Sequence, residues 1–356
     1  MNIHPRPNPV IAALYTLRDL AVDVVVIHGP AGCGFMASRM IEEAGIRVVT
    51  TSMNDNDLIF GATERLETVL KDVENRFSPK TIAVIGTCAS MIIGEDMKAS
   101  IKRANVGCKV FSVDCHGCMG DNTKGAIKAI EAATLAGMID VEESERQKHL
   151  LSAATMMEKK VGMASVDYLS PSAGLTKMNV AKRIIDQLGN NKKVAVIILS
   201  KKELTYRFSD MFLAVKEAND VLGGETLFIS NLDTSKGLPR IRGYAEDVTR
   251  ELKDNGVRFD AVGGLDEYAV IGKEMESVVN KFKPDLKVIV GIPHAYPTMG
   301  GDDILITDQP RQLSNYLSRG LNAVGEISSH SMVMNTHRII STETGDTIRE
   351  LLKVSR

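Results

Sequence analysis

The sequence predicts an α/β protein built from Rossmann-like three-layer domains with mostly parallel sheets, and three observations lead there. Short, nearly unbroken runs of apolar, β-branched residues recur along the chain, as expected of strands buried on both faces. Each run is followed by a turn and then a stretch of helical pattern, the order of right-handed βαβ crossovers. Finally, 356 residues with 44% hydrophobic content can enclose more than one core, at roughly 100–200 residues per domain. The divisions fall at 1–165 for an N-terminal α/β domain, 166–190 for a linker and leading helix, and 191–356 for a C-terminal Rossmann-like region.

The first strand is placed in Val22–Ile27, followed by the turn His28–Gly34 (HGPAGCG) and a helix beginning FMASRMIEEAG. Two further strands, Thr81–Ile85 and Val110–Val113, run into Cys88 and Cys115. The segment DNTKGAIKAIEAATLAGMI carries apolar residues at helical spacing behind a capping Asp121 or Asn122. Residues 140–160 are charged and helical in pattern, and VDYLSPSAGLT after them has the proline and glycine of a linker. A second strand set follows: KKVAVIILS, TLFIS, FDAVGG, LKVIVGIPHAYP, DILITD and LNAVGEI, with helices such as RQLSNYLSRG between.

Composition excludes several classes. Lys+Arg 43 against Asp+Glu 45 gives a net charge of -2 without a long basic run, so the electrostatic footprint of a nucleic-acid binder is missing. No stretch reaches the ~18 apolar residues of a membrane span, and the N-terminus has no charged segment leading into an apolar one. A cytosolic protein is expected. Five cysteines in a chain of this size fit a reducing compartment, where they are reactive, metal-binding or simply buried.

Ligands of open α/β sheets bind outside the carboxyl ends of the strands. Cys33, Cys88 and Cys115 each follow a strand, so three thiols should emerge on that edge and suggest a metal or a cluster. The turn holding Cys33 sits where a phosphate-binding loop would, yet Phe35 and Met36 stand where such a loop needs lysine and a hydroxyl. Its small residues allow two readings. Either the backbone approaches something bulky beside Cys33, such as an iron–sulfur cluster, or this is ordinary turn chemistry around a small apolar side chain. Cys115 and Cys118 have the C-x-x-C spacing of a metal or redox pair, but no second pair completes a zinc finger. Cys108 reads as a buried structural thiol.

HGPAGCG (28–34), SMNDNDLIFGATERL (52–66) and TCASMIIGEDM (87–97), in this order and spacing, resemble the nitrogenase component 1-like family over roughly the first third of the chain. The resemblance implies that Cys33, flanked by Gly32 and Gly34, and Cys88 hold a cluster. Larger members of that family use a further cysteine upstream; here none precedes Cys33. An isologous homodimer presents each residue twice, so Cys33 and Cys88 of two copies would supply four thiolates to one 4Fe-4S cluster on or near the two-fold axis. Cys115 and Cys118 stand in reserve as ligands, with His116 either tuning the cluster by hydrogen bonding or exposed at the surface. The resemblance further implies electrons from a separate NifH-like, ATP-hydrolysing iron–sulfur reductase. The implied reaction is ATP-dependent reduction of Ni-sirohydrochlorin a,c-diamide with lactam-ring closure. The alternatives are another nitrogenase-like tetrapyrrole reductase, a non-catalytic iron–sulfur or tetrapyrrole scaffold, and a Rossmann-type binder with structural cysteines.

A flat macrocycle fringed by carboxylates needs apolar walls and a few cationic or amide groups at the rim. In GIPHAYPTMGG, Pro293 and Pro297 stiffen a strand-end loop carrying His294, whose ordinary pKa of ~6.5 suits proton donation near neutrality; the other reading has His294 bonding only to its loop. Lys201, Lys202 and Arg207 are candidates to meet propionates, against the default of a solvated helix start. His330 and His337 form a polar cluster without an assigned role. The 17 methionines read as flexible core filler.

Overall fold

The computed structural model describes residues 8–161, 175–263, 273–293, 296, 299–328, 330–333 and 336–354. The chain divides into two compact units, 1–156 with 238–240, and 157–237 with 241–356. The linker candidate 166–176 lies largely outside the described residues.

In order, the first elements are α1 (Pro9–Asp19), β1 (Val24–His28), α2 (Phe35–Glu43), β2 (Arg47–Thr50), α3 (Asp55–Phe60) and α4 (Thr63–Phe77). They continue with β3 (Thr81–Gly86), α5 (Cys88–Ile92), α6 (Met97–Ala104), β4 (Lys109–Val113), α7 (Asn122–Leu135) and α8 (Val141–Val161). The four strands pair in parallel in the order β2-β1-β3-β4. After β2 the chain returns past β1 to lay down β3, so the order reverses between β1 and β3. Such a switch point opens a crevice at the carboxyl ends of those two strands. In register, His28 at the end of β1 faces Gly86 at the end of β3.

Burial explains the strand assignments. All five β1 residues are buried, and Val24 and Val26 meet Leu66, Leu70 and Val73 of α4 in one cluster with Ile82 and Val84. Each fully buried aliphatic side chain there contributes ~1.5–3 kcal/mol relative to exposure. Asn54 starts α3 with a reciprocal capping box to Asp57, and Asp121, not Asn122, caps α7, accepting from the Lys124 amide. Several elements went unread in the sequence, α1, β2, α3 and α4 among them. α1 is almost wholly buried, and β2 is a short edge strand with partly exposed residues, so neither shows the pattern of a two-faced element.

The second unit comprises α9 (Leu175–Gly189), β5 (Lys193–Leu199), α10 (Thr205–Phe208), α11 (Asp210–Leu222), β6 (Glu225–Ser230), α12 (Pro239–Asp254) and β7 (Ala261–Val262). After these come α13 (Lys273–Phe282), β8 (Leu286–Gly291), β9 (Ile304–Thr307), α14 (Pro310–Ser318), β10 (Asn322–Gly325), α15 (His330–Val333) and α16 (Glu343–Val354). Its six parallel strands run β10-β9-β8-β5-β6-β7, the 3-2-1-4-5-6 order of a Rossmann sheet. Both units therefore have the α/β, parallel-sheet architecture expected. The switch point of this sheet lies between β5 and β8, where Gly291 adopts φ +95° and a Cβ would stand 2.2 Å from the Leu199 carbonyl oxygen. Pro293 leads away from it; His294, Ala295 and Pro297 lie outside the described residues.

Arg207 corrects the solvated-helix reading. It is buried, donating to Glu326 at 3.1 Å and to the Ile327 carbonyl at 3.2 Å. Glu326, wholly buried, also accepts from the Thr344 amide and hydroxyl. A buried guanidinium already paired with Glu326 and a backbone carbonyl is not available to a substrate carboxylate. His337 is exposed and bonds Asp247 at 3.0 Å.

Candidate functional site

Three strand ends of the first unit deliver four of its five cysteines. β1 ends at His28, and a tight helical turn (Ala31–Cys33) leaves Cys33 exposed. β3 ends at Gly86, and Thr87 caps α5, whose first residue is the half-buried Cys88. β4 ends at Val113, and the loop beyond it carries buried Cys115, half-buried His116 and exposed Cys118. Thr87 ties two of these ends together, its hydroxyl donating to the His28 carbonyl at 3.0 Å.

The glycines divide by role. A Cβ on Gly29 would stand 2.3 Å from the Thr87 hydroxyl and 2.9 Å from its Cβ, and one on Gly34 would strike the end of Ile27 at 2.3 Å. Gly29 is small because the end of β3 packs closely behind the turn, and Gly34 because the turn folds back onto Ile27 of β1. A Cβ on Gly32, beside Cys33, would meet nothing within 4 Å among the described residues, so packing gives no reason for a glycine there.

Cys88 Sγ lies 3.6 Å from Cys118 Sγ. Cys88, Cys118 and a ring nitrogen of His116 all fall within 4.8 Å of one another. His116 Nδ1 is buried with no hydrogen-bond partner among the described residues. Burial pushes the Cys33 thiol up, and the neighbouring Cys88 adds to this while a hydrogen bond with Thr87 opposes it. The Cys118 thiol is raised chiefly by its contact with Cys88. Cys115, at 1% exposure, is pushed up to about 12 by burial and then by Asp114 and Cys88. An inert buried thiol is not a ready ligand, which sets Cys115 apart from the other three. Cys108 is partly buried against the β-sheet cluster, on the far side of β4 from this edge in the chain.

A buried pair behind the turn went unnoticed in the sequence. His28, with no exposed surface, has Nδ1 3.3 Å from the Thr51 hydroxyl and Nε2 3.5 Å from Glu95. Desolvation lowers the His28 pKa, although Glu95 pulls the other way. Glu95 also accepts from the Ala62 amide at 2.6 Å and the Thr63 hydroxyl at 3.2 Å, joining the α3–α4 turn to the segment after α5. The visible signal was a histidine at a strand end, but its partner lies 67 residues on.

Chemically, thiols of Cys33 and Cys88 on neighbouring strand ends, with open space at Gly32, suit the donor set of an iron–sulfur centre. Cys33 and Cys88 are two such donors per chain, and Cys118 stands beside Cys88 as a third thiol.

Residues 9–149 match the sequence profile of the nitrogenase component 1 type oxidoreductases. A relative in Methanosarcina acetivorans, the Ni-sirohydrochlorin a,c-diamide reductive cyclase complex component CfbD, is 42% identical over 99% of this chain and 97% of its own. Its namesake in Methanothermobacter thermautotrophicus is 40% identical over 99% of both chains, and that of Methanocaldococcus jannaschii 36% over 97% and 98%. More distantly, the nitrogenase iron-molybdenum cofactor biosynthesis protein NifE of a Nostoc species is 24% identical over 59% of this chain and 41% of its own. With such identity sustained end to end and the motifs of Cys33 and Cys88 inside the matched segment, the chain belongs to the CfbD family of nitrogenase component 1 type proteins.

Proposed function

We propose that this chain is the catalytic component of an ATP-dependent reductive cyclase that reduces Ni-sirohydrochlorin a,c-diamide and closes its lactam ring on the way to coenzyme F-430. The observation that carries the reading is the near full-length identity to three proteins named for that complex. Electrons come from a NifH-like ATPase, component CfbC, and a 4Fe-4S cluster supplies the relay when bound. Cys33 and Cys88 of each of two copies hold it as thiolates, and Gly32 admits it to the backbone. Exposed apolar side chains at the ends of α3 and α5, Phe60 at 84% and Ile92 at 77%, the latter closing the helix that Cys88 opens, fit coverage by the second copy. His294, next in the chain after Pro293 at the second sheet's switch point, donates a proton during ring reduction.

The test is turnover under anaerobic conditions with the reductase, ATP, a reductant and the nickel tetrapyrrole, following the macrocycle spectrum. Change with ATP and none without it is the expected result. Cys33→Ser or Cys88→Ser bleaches the brown protein, whereas Cys108→Ser leaves it coloured. His294→Gln keeps the colour and loses turnover. A coloured protein inert towards this macrocycle points to a different tetrapyrrole substrate or to a scaffold, as the distant likeness to a cofactor biosynthesis protein would favour.

A further inference from the structure

We infer that Cys88, His116 and Cys118 form a site for a single thiophilic divalent cation, separate in geometry from a shared cluster and in competition with it for Cys88. The distance between the two sulfurs decides this. Two thiolates bound tetrahedrally to one ion at ~2.3 Å each stand about 3.8 Å apart, and Cys88 and Cys118 are 3.6 Å apart. Thiolates on different irons of one cube point outward along diverging iron–sulfur bonds, so they stand farther apart than two thiolates on a common ion. As placed, this pair matches one metal and not two corners of a cluster.

The third donor strengthens the assignment. A ring nitrogen of His116 lies within 4.8 Å of both sulfurs, and its buried Nδ1 lacks a hydrogen-bond partner among the described residues. A buried polar atom without a partner is costly in an ordinary loop; it is accounted for if the imidazole serves a ligand when the site fills. Gly117, between the two loop donors, lies against Cys88: a Cβ there would make ordinary contact with Cys88 Sγ at 3.6 Å. Two sulfurs and an imidazole suit zinc, cobalt or ferrous iron and disfavour magnesium and calcium. Binding converts two thiols to thiolates and releases two protons per ion. No electron is transferred. The fourth position is left for water or a further thiol.

The inference does not depend on the cyclase reading. Its test uses full-length protein freed of metal, reduced with a phosphine and handled without oxygen, so that an ion and not a disulfide is measured. Cobalt(II) alone is the probe. One cobalt per chain is expected, with near-ultraviolet thiolate charge transfer for two sulfurs and the strong visible bands of a tetrahedral ion. Loss of a residue that merely supports a ligand already weakens metal binding about 10–100-fold, so Cys118→Ser and His116→Ala should each lose at least that much. Cys118 is exposed, and an unchanged melting curve for its variant separates lost binding from lost folding. Cys33→Ser should bind cobalt like the parent. Cobalt-loaded protein should also take up iron and sulfide only as its cobalt bands disappear. An equal affinity in Cys118→Ser, octahedral weak bands, or a loss in Cys33→Ser but not in Cys118→Ser would each overturn the assignment. A colourless Cys33→Ser protein in the iron reconstitution, with cobalt binding intact, separates the two sites.

Discussion

At the scale of single residues, the environment of His28 gives a prediction independent of any cluster. Its pKa is lowered because burial penalises the imidazolium more than Glu95 favours it. The folded protein therefore holds His28 neutral where the unfolded chain, near its ordinary ~6.5, takes up a proton. A depressed pKa means that the unfolded state binds more protons in the window below ~6.5, so stability rises with pH there and falls on acidification, by at most ~1.4 kcal/mol per pH unit for one group. His28→Gln should remove this component. Comparing melting temperatures at pH 7.5 and 5.5, the parent should lose more than the variant; equal losses would show that the buried ring is not the sensor. The cysteines illustrate what was readable at this scale. Strand-end position placed Cys33 and Cys88 on one edge from sequence alone, because a parallel sheet sends every carboxyl end the same way. That Cys118 and not Cys115 meets Cys88 depends on how the 114–121 loop folds, which C-x-x-C spacing does not specify.

At the scale of elements, the turn after β1 separates packing from function glycine by glycine. Gly29→Ala drives a methyl into Thr87, which is held by its own hydrogen bond to the His28 carbonyl, so destabilisation of about 1–3 kcal/mol is expected. Gly32→Ala meets nothing and should shift stability by no more than ~0.5 kcal/mol, its effect appearing instead in the iron–sulfur spectrum. Denaturant melts of the two variants, run without metal, test the contrast, and a reversal of the order would refute it. The sequence offered both readings of this turn, close backbone approach to a ligand and ordinary turn chemistry; tight packing accounts for Gly29 and Gly34, and approach to a ligand at Gly32 belongs to the proposed cluster. Choosing between them required Thr87, 58 residues beyond Gly29, because spacing records a tight turn but not what it is tight against. The same holds for α1 and α7, where Gly125 lets the Pro9 carbonyl approach until a Cβ would overlap it. Strands of the second sheet were legible because β5 and β8 are almost wholly buried, whereas edge strand β2 had no such signature.

At the scale of the molecule, the ligand set proposed above, Cys33 and Cys88, makes quaternary structure the decisive variable. On that proposal one chain would supply two of the four thiolates that iron–sulfur clusters commonly need, and an isologous pair would supply the rest by presenting the same face twice. That face carries its own signal. Ile59 and Phe60 close α3 at 72% and 84% exposure, and Met91 and Ile92 close α5 at 49% and 77%. Glu95 holds the two helix ends together through the Ala62 amide. Helix ends that project apolar side chains, one of them closing the helix that Cys88 opens, fit an interface core better than a solvated surface. A charge at the centre of such a contact is desolvated without a partner and typically costs several kcal/mol. Phe60→Glu and Ile92→Glu are therefore expected to shift the protein from dimer to monomer in light scattering and to lower bound iron in proportion, while circular dichroism stays that of the parent. Cobalt binding by Cys88, His116 and Cys118 uses one chain only and should survive both changes. A monomer that keeps a full complement of iron would show that each chain completes its cluster alone, with Cys118 or Cys115 recruited as a ligand; a dimer unaffected by either glutamate would place the contact on another face.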